Sequence, residues 1–278
     1  MILTGKAKLA GVIGWPITHS RSPQLHGFWL ERHQIDGAYV PLAIAPENFD
    51  MALAGLAAAG FRGLNVTLPH KLAAYAACDT IDDNARRIGA VNTIVFDENG
   101  KPHGSNTDAF GFVENIRQNS SWNAGGVAVV LGAGGAARAV CVALIDAGVT
   151  EIRVLNRTRE RADALARDLG RPLTVADWSH RAAVLADATM LVNTTSLGMT
   201  GQPPLEIDLA ALSEKAVVND IVYVPLETDL LAAARARGNE TVDGLGMLLH
   251  QARPGFEAWF GVKTEVTEEL RNFVLGKG

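Results

Sequence analysis

The sequence predicts an α/β protein built as two domains, and three observations carry that expectation. Short apolar, β-branched runs alternate with helical segments along most of the 278 residues, the rhythm of sheets covered by helices. One strand–turn–helix–strand unit, Val127 to Thr158, has glycines at its turn. A polar, glycine-containing stretch from Asn119 to Gly126 separates that unit from the alternation before it, and a chain of this length divides more naturally into two cores than it packs around one.

Composition narrows the functional classes. Hydrophobic residues make up 48%, charged residues 20%, and the formal net charge is -5. That balance supplies no basic stripe for nucleic acid and no polybasic patch for a membrane, so an anionic ligand must be held by local groups. Cys78 and Cys141 are the two cysteines; both stand in apolar or Ala-rich helical surroundings, which suggests buried thiols in a reducing compartment and not a disulfide or a metal site. The N-terminus lacks a charged-flanked apolar core with a cleavage site, and no apolar run approaches the ~18 residues of a membrane span. The expectation is a soluble, cytoplasmic protein with a small-molecule partner and no metal.

In chain order, Leu9 to Gly14 is a short strand that ends in Trp15-Pro16-Ile17-Thr18-His19-Ser20-Arg21-Ser22-Pro23. The prolines break regular structure, so Ser20 and Ser22 lie in a loop past the strand; Ser22 suits the N-cap and Pro23 the first turn of a helix carrying Leu25, Phe28, Trp29 and Leu30. Capping and ligand binding are both open to these hydroxyls. Ala38 to Ile44 reads as a strand and Phe49 to Ala59 as a helix closed by Gly60. The next strand, from Phe61, puts Asn65 and Thr67 on one face by its period of two. Pro69 then opens a helix with Lys71 in its first turn, where the helix dipole opposes its charge; a solvated surface lysine is the bland alternative, but broken local rules concentrate at functional sites. Gly89 to Phe96 is strand-like, Glu98 to Lys101 is a hairpin-type turn, and the chain returns through Asn106-Thr107-Asp108 into a helix from Phe110 to Asn119, for which Asp108 could serve as N-cap.

The second half opens with the glycine unit. The strand Val127 to Leu131 breaks at Gly132, Gly134 and Gly135, and the helix Ala136 to Ala147 leads to a second strand, Ile152 to Leu155. Glycines permit the tight turn and close backbone approach, and the free N–H groups at the helix start attract a diphosphate. A plain βα turn is the alternative for a lone glycine pattern; the legible strands on both sides favour dinucleotide binding. Where an NAD-binding unit usually carries an acidic residue at the end of its second strand, this chain has Asn156-Arg157-Thr158. A carboxylate would repel a 2′-phosphate and a guanidinium would bind it, so the sequence predicts NADP. The alternation continues with a helix from Arg159 to Leu169, a strand near Leu173 to Ala176, a helix near Ser179 to Leu185 and a buried strand Met190 to Asn193. Thr194, Thr195, Ser196 and Leu197 follow that strand's carboxyl end, where open α/β sheets bind ligands. Val217 to Ile221 is a strand, Leu226 to Ala236 a helix and Thr241 to Asp243 a last short strand, after which Gly244 to Met247 opens an amphipathic segment to Trp259.

Taken together, Gly14-Trp15-Pro16 with His19 to Pro23, Asn65 to Lys71, Gly89 to Thr93, Asn106 to Asp108, Gly132 to Gly135, Asn156 to Thr158, Asp220 to Tyr223, and Gly244 to Leu248 with Gln251-Ala252 resemble shikimate dehydrogenase, in family order over nearly the whole chain. The resemblance implies an N-terminal α/β substrate domain of residues 1–108 joined by C-terminal helices from 247–278, a Rossmann-type NADP-binding domain of residues 109–246, and a site in the cleft between them. It implies the reversible reduction of 3-dehydroshikimate to shikimate, a step of aromatic amino-acid biosynthesis, in a monomer or homodimer. Lys71 and Asp108 would be the proton-handling pair; neither residue type titrates near neutrality alone, so the pair is expected to titrate together. Ser20, Ser22 and Tyr223 would bind the substrate carboxylate, and Asn65, Thr67, Asn92 and Gln251 the ring hydroxyls.

The implied cofactor set is Gly132, Gly134, Gly135 and Ala136 for diphosphate, Asn156, Arg157 and Thr158 for the 2′-phosphate, and Thr194 to Leu197, Ile221, Gly244 and Met247 along the rest, with a core role for Met247 as its alternative. Ile221 departs from the methionine often found in similar sequences. Two rivals make different claims. A quinate/shikimate dehydrogenase using NAD is disfavoured by Arg157 and by serine at both 20 and 22, while a non-catalytic dinucleotide-binding sensor would tolerate loss of Lys71 and Asp108.

Overall fold

Residues 2–277 are described by a computed structural model, in which contacts divide the chain into two units. One comprises the residues up to Thr107 together with those from Leu249 onward, and the other is Asp108–Leu248. Asp108 and Met247 thus fall in the second unit, one and two residues across the boundaries read from the sequence, because each belongs to the first turn of a helix that starts there.

The first unit runs β1 (Lys8–Gly14), α1 (Ser22–Arg32), β2 (Gly37–Ala43), α2 (Phe49–Ala58), β3 (Phe61–Val66), α3 (Lys71–Ala77), β4 (Thr80–Ile81), α4 (Asp83–Ile88), β5 (Thr93–Phe96) and β6 (Pro102–Ser105). Its sheet has the order β2-β1-β3-β5-β6-β4. β1 is parallel to β2 and β3, and β5 is antiparallel to both β3 and β6. The hairpin expected at Glu98 to Lys101 is present, with Lys101 N–H and carboxylate-capped Asn99 N–H both closing on Asp97 Oδ1 at 2.8 Å. The strand expected from Gly89 begins only at Thr93: Gly89, at φ 72°, instead ends α4 in the left-handed conformation that favours glycine there. Ile13, Leu64, Val66 and Ile94 from the strands pack with Phe49, Leu53 and Ala74 from the helices into one core.

The second unit opens with α5 (Asp108–Asn119) and continues β7 (Val127–Leu131), α6 (Gly135–Asp146), β8 (Glu151–Leu155), α7 (Arg159–Leu169), β9 (Leu173–Ala176), β10 (Ala188–Asn193), β11 (Val217–Asp220), α8 (Asp229–Ala236) and β12 (Thr241–Val242). Every pair in its sheet is parallel. The order β12-β11-β10-β7-β8-β9, numbered within the unit, is the 3-2-1-4-5-6 arrangement of a doubly wound dinucleotide fold. Val129, Leu131, Leu155, Leu191 and Val218 carry its core, the near-continuous apolar strands that a sheet covered on both faces requires. α9 (Leu245–Phe260) starts in this unit and continues in the first, which ends with α10 (Glu268–Val274).

Two further elements differ from expectation. The helix read near Ser179 to Leu185 is two 3-10 turns, Trp178–His180 and Ala183–Leu185; between them the Arg181 side chain donates to Trp178 O, three residues back, and to Glu206 O, a long-range bond that competes with the local pattern. α8 starts at Asp229, not Leu226, because the Thr228 hydroxyl takes the N-cap and accepts from Leu231 N–H at 3.4 Å. Among the described residues no helix is long and apolar enough to cross a membrane, and no cluster of side chains could hold a metal ion.

Candidate active site

In the second unit each expected cofactor residue follows the carboxyl end of a parallel strand. Gly132, Gly134, Gly135 and Ala136 follow β7; Asn156, Arg157 and Thr158 follow β8; Thr194, Thr195, Ser196 and Leu197 follow β10; Ile221 follows β11; Gly244 and Met247 follow β12. Register aligns these ends, since Leu131 lies opposite both Leu155 and Asn193, and Asn193 lies opposite Asp220. The residues therefore gather along one edge of the sheet. Strand order reverses between β7 and β10, the switch point at which crossovers diverge and leave a crevice for a ligand.

The glycine turn is built for an anion. Gly132 has φ 111°, and a Cβ there would stand 2.5 Å from Thr194 Oγ1, so the turn admits only glycine. Its N–H donates to Leu155 O at 2.7 Å, while the Thr194 hydroxyl donates to Leu131 O at 2.6 Å. Gly134 is the extended N-cap of α6 and makes no side-chain cap bond; a Cβ at Gly134 or Gly135 would meet nothing within 4 Å. The open space at the positive end of a twelve-residue helix fits a diphosphate.

At the end of β8, Arg157 is exposed, and its side chain makes no hydrogen bond or ion pair among the described residues. Its neighbour Arg159 is engaged, donating to Asp177 at 2.6 Å and lying 3.6 Å from Asp163. Thr158 is the N-cap of α7, yet its hydroxyl makes no cap bond. Asn156 Nδ2 donates to Thr158 O at 2.8 Å and shapes the turn. One guanidinium and one hydroxyl are thus left for an anionic group, the donor set a phosphate requires.

Asn193, read from the sequence only as a strand end, and Asp220, quoted there only within the resemblance, hold this edge together. Asn193 Nδ2 donates to Asp220 Oδ1 at 3.0 Å and to Leu197 O at 3.2 Å; its Oδ1 accepts from the Thr195 N–H at 3.0 Å and the Thr195 hydroxyl at 2.7 Å. Asp220 also accepts from Val222 N–H at 3.0 Å and the Thr228 hydroxyl at 2.8 Å. Burial pushes the Asp220 carboxyl up from its ordinary range, against those three hydrogen bonds. The pair fixes both the Thr194–Leu197 loop and the turn at Val222 that follows β11. A polar residue ending each of two apolar runs was the available signal.

In the first unit, Asn65, Asn92 and Gln251 belong to one polar cluster. Asn65 Nδ2 donates to Asn92 O at 3.3 Å and Thr93 Oγ1 at 3.2 Å. Asn92 Nδ2 donates to Thr107 Oγ1 at 3.1 Å and Gln251 Oε1 at 3.5 Å, and its Oδ1 accepts from Thr107 N–H at 3.0 Å. The Tyr39 hydroxyl donates to Asn65 Oδ1 at 2.6 Å. Tyr39 also hydrogen-bonds Ser22, and burial raises its phenol well above the ordinary value. Tyr39, Thr93 and Thr107 were not singled out from the sequence; each looks like ordinary strand or loop chemistry until the sheet brings it to the amides. Thr67 is half-buried just past β3, its N–H donating to Ile13 O at 2.9 Å.

Ser22 is not the N-cap expected of it. It is the first residue of α1, after Arg21, and its N–H donates to Ser20 Oγ at 3.3 Å, so Ser20 supplies the bracing hydroxyl and Ser22 is turned inward to Tyr39. Lys71 opens α3 as expected, half-buried, its carbonyl accepting from Val91 N–H at 3.1 Å. The preceding His70 anchors that corner, with its Nε2 2.7 Å from Ile44 O and its ring stacked on Phe49 at 5.2 Å. Asp108 is buried and is the first residue of α5, two before the expected start. A carboxylate there complements the helix dipole, whereas Lys71 opposes that of α3. Met247 is buried in the first turn of α9.

The chain is similar to known proteins. A family model described as the shikimate dehydrogenase substrate binding domain matches residues 12–94, and one described as shikimate / quinate 5-dehydrogenase matches residues 116–200. A shikimate dehydrogenase (NADP(+)) of Paramagnetospirillum magneticum is 62% identical over 98% of this chain and 100% of its own. A Thermus thermophilus shikimate 5-dehydrogenase solved with NADP(H) and shikimate is 37% identical, with a TM-score of 0.86 over 97% of this chain and 98% of that one. A Corynebacterium glutamicum quinate dehydrogenase solved with NAD has a TM-score of 0.90 at 32% identity, over 97% and 99%. The fold is therefore shared by proteins that differ in cofactor and polyol, and the choice between those rests on side chains.

Proposed function

The chain belongs to the shikimate dehydrogenase family, and we propose that Lys71 and Asp108 carry the proton of its reaction, the NADP-dependent reversible reduction of 3-dehydroshikimate to shikimate. Bound NADPH supplies a hydride equivalent to the ketone carbon. Lys71 and Asp108 act together, giving a proton to the ketone oxygen in this direction and removing it from the hydroxyl in the other. Ser20, Ser22 and Tyr223 bind the substrate carboxylate through hydroxyl donors. Asn65, Thr67, Asn92 and Gln251 bind the ring hydroxyls, and the amide cluster around Asn92 supports this because its members are held in place by one another. A site organised to hydrogen-bond hydroxyls rejects analogues that lack them.

The cofactor is held by Gly132, Gly134, Gly135 and Ala136 at its diphosphate and by Asn156, Arg157 and Thr158 at its 2′-phosphate. Thr194, Thr195, Ser196, Leu197, Ile221, Gly244 and Met247 line the remainder. The observation that carries the reading is the edge of the doubly wound sheet, with an open helix N-terminus after β7 and an unpaired guanidinium after β8. Unpaired Cys78 and Cys141, their thiols pushed up by burial to about 11 and about 12, support a reducing, cytoplasmic setting, and the working form is a monomer or a homodimer. The test is Lys71→Ala, followed by NADPH oxidation with 3-dehydroshikimate. Loss of a general acid–base group predicts a fall in kcat of roughly 100-fold or more; unchanged oxidation would sink the catalytic role.

A further inference from the structure

We infer that Asn115 is a positioning residue that clamps the Asp243–Met247 loop to the face of α5 carrying Asp108, and so sets the nicotinamide side of the cofactor edge against the proton-handling carboxylate. The inference rests on the roles proposed above for Asp108 and Met247. Asn115 follows Asp108 by seven residues in the same uninterrupted helix, which brings it back to nearly the same face after two turns, about 10 Å along the axis. It is 1% exposed, as is Phe112 between them. Leucine at such a position would pack without desolvating an amide, and a buried amide is tolerated only where its groups are bonded.

Those bonds run to the loop after β12. Asn115 Nδ2 donates to Asp243 O at 2.7 Å, and Asn115 Oδ1 accepts from Asn119 Nδ2 at 3.0 Å. Asp243 Oδ1 in turn accepts from Leu245 N–H at 3.0 Å and starts α9. Gly246 is the matching half. A Cβ on it would lie 1.7 Å from Asn115 Oδ1 and 2.5 Å from Asn115 Cγ, so the α9 backbone touches the amide directly. Glycine costs a helix about 1 kcal/mol relative to alanine. Two residues that are each unfavourable locally therefore meet at one contact, between Asp108 on one side and Met247 on the other. Since α5 is rigid along those two turns, the contact fixes the Gly244 and Met247 backbone relative to Asp108.

The test uses Asn115→Ala, Gly246→Ala, the double variant and Asp108→Asn in the full-length enzyme. The readouts are kcat, KM for 3-dehydroshikimate, thermal stability and the primary isotope effect with NADPH deuterated at nicotinamide C4. A displacement on the order of 1 Å at a reacting centre can cost up to about 100-fold in rate, so N115A and G246A are each expected to lower kcat by roughly 10-fold or more. KM for 3-dehydroshikimate should stay within about twofold while the isotope effect on kcat rises, because hydride transfer becomes limiting. Removing the amide makes room for the added methyl, so the double variant should be no slower than N115A, a non-additivity that marks direct contact. Asn115→Ser, which retains a donor, takes the place of N115A if the alanine variant does not fold. Lower stability with kcat and isotope effect unchanged would overturn the inference. An unimpaired Asp108→Asn would instead overturn the catalytic reading beneath it.

Discussion

Replacing Arg157 by alanine tests cofactor choice through one guanidinium. The side chain is exposed and without a partner among the described residues, and the nearby Arg159 is held by Asp177 at 2.6 Å and Asp163 at 3.6 Å, so Arg157 is the arginine available to a 2′-phosphate at the end of β8. A hydrogen bond to a charged group contributes about 1.5–3 kcal/mol; solvent screening at an exposed position holds this one near the lower end, about 1.5–2 kcal/mol. At 1.4 kcal/mol per factor of ten, kcat/KM for NADP should fall roughly 10- to 30-fold. NAD lacks the phosphate and should be used as before. The assay is shikimate oxidation with each cofactor in the wild type, Arg157→Ala and Arg159→Ala. The ratio of the two efficiencies should collapse only in R157A, and in the wild type it should shrink as ionic strength rises from about 0.01 M to about 0.15 M, where the screening length drops from about 30 Å to about 8 Å. Equal loss with NADP and NAD, or a ratio that moves as much in R159A, would refute the assignment.

Two other side chains give separate tests. Tyr39→Phe removes the hydroxyl that donates to buried Asn65 Oδ1 at 2.6 Å and leaves that oxygen short of a donor. Urea denaturation should show a loss of about 1–3 kcal/mol, together with a several-fold rise in KM for shikimate and little change in KM for NADP; an unmoved shikimate KM would detach Tyr39 from the site. Burial pushes the His26 imidazole down to about 3, among the rings of Trp29, Tyr39, Phe256 and Trp259. Its folded pKa lies below the unfolded value of about 6.5, so the unfolded chain binds the extra proton and stability is lost as pH falls below about 6.5. The slope from this residue approaches about 1.4 kcal/mol per pH unit. His26→Phe, which preserves the stack on Tyr39, should flatten that acid limb between pH values of about 6 and 4.5; a limb as steep as in the wild type would show that other groups set it.

Much of the second unit was legible because its elements are specified locally. The βαβ crossover from Val127 to Leu155 announces itself through apolar runs and glycine turns, and ligand residues at strand ends follow from parallel topology. Elements whose cause lies elsewhere in the chain were not legible. The segment from Trp178 to Leu185 has helical composition, but Arg181 is drawn to Glu206 O and only 3-10 turns form. Ser22 carries the chemistry of a cap, yet Ser20 braces the turn and Ser22 faces Tyr39. α4 and β4 are too short to leave a periodic pattern, and α10 lies beyond the motifs that organised the reading. Within the site, Asp108 suits a helix start and drew its role from the resemblance alone, whereas residue types at Lys71 and Arg157 were conspicuous because each departs from a local preference or a motif. Tyr39, Asn115 and Asn193 were not, since a strand tyrosine or a helical asparagine acquires meaning only from a partner many residues away: Asn65 for the first, Asp243 for the second and Asp220 for the third.

The most direct measurement crosses shikimate and quinate with NADP and NAD on the purified protein. Serine at 20 and 22, the amide cluster around Asn92 and the unpaired Arg157 together predict that shikimate with NADP gives the highest kcat/KM of the four combinations. A highest value for quinate with NAD would contradict the account.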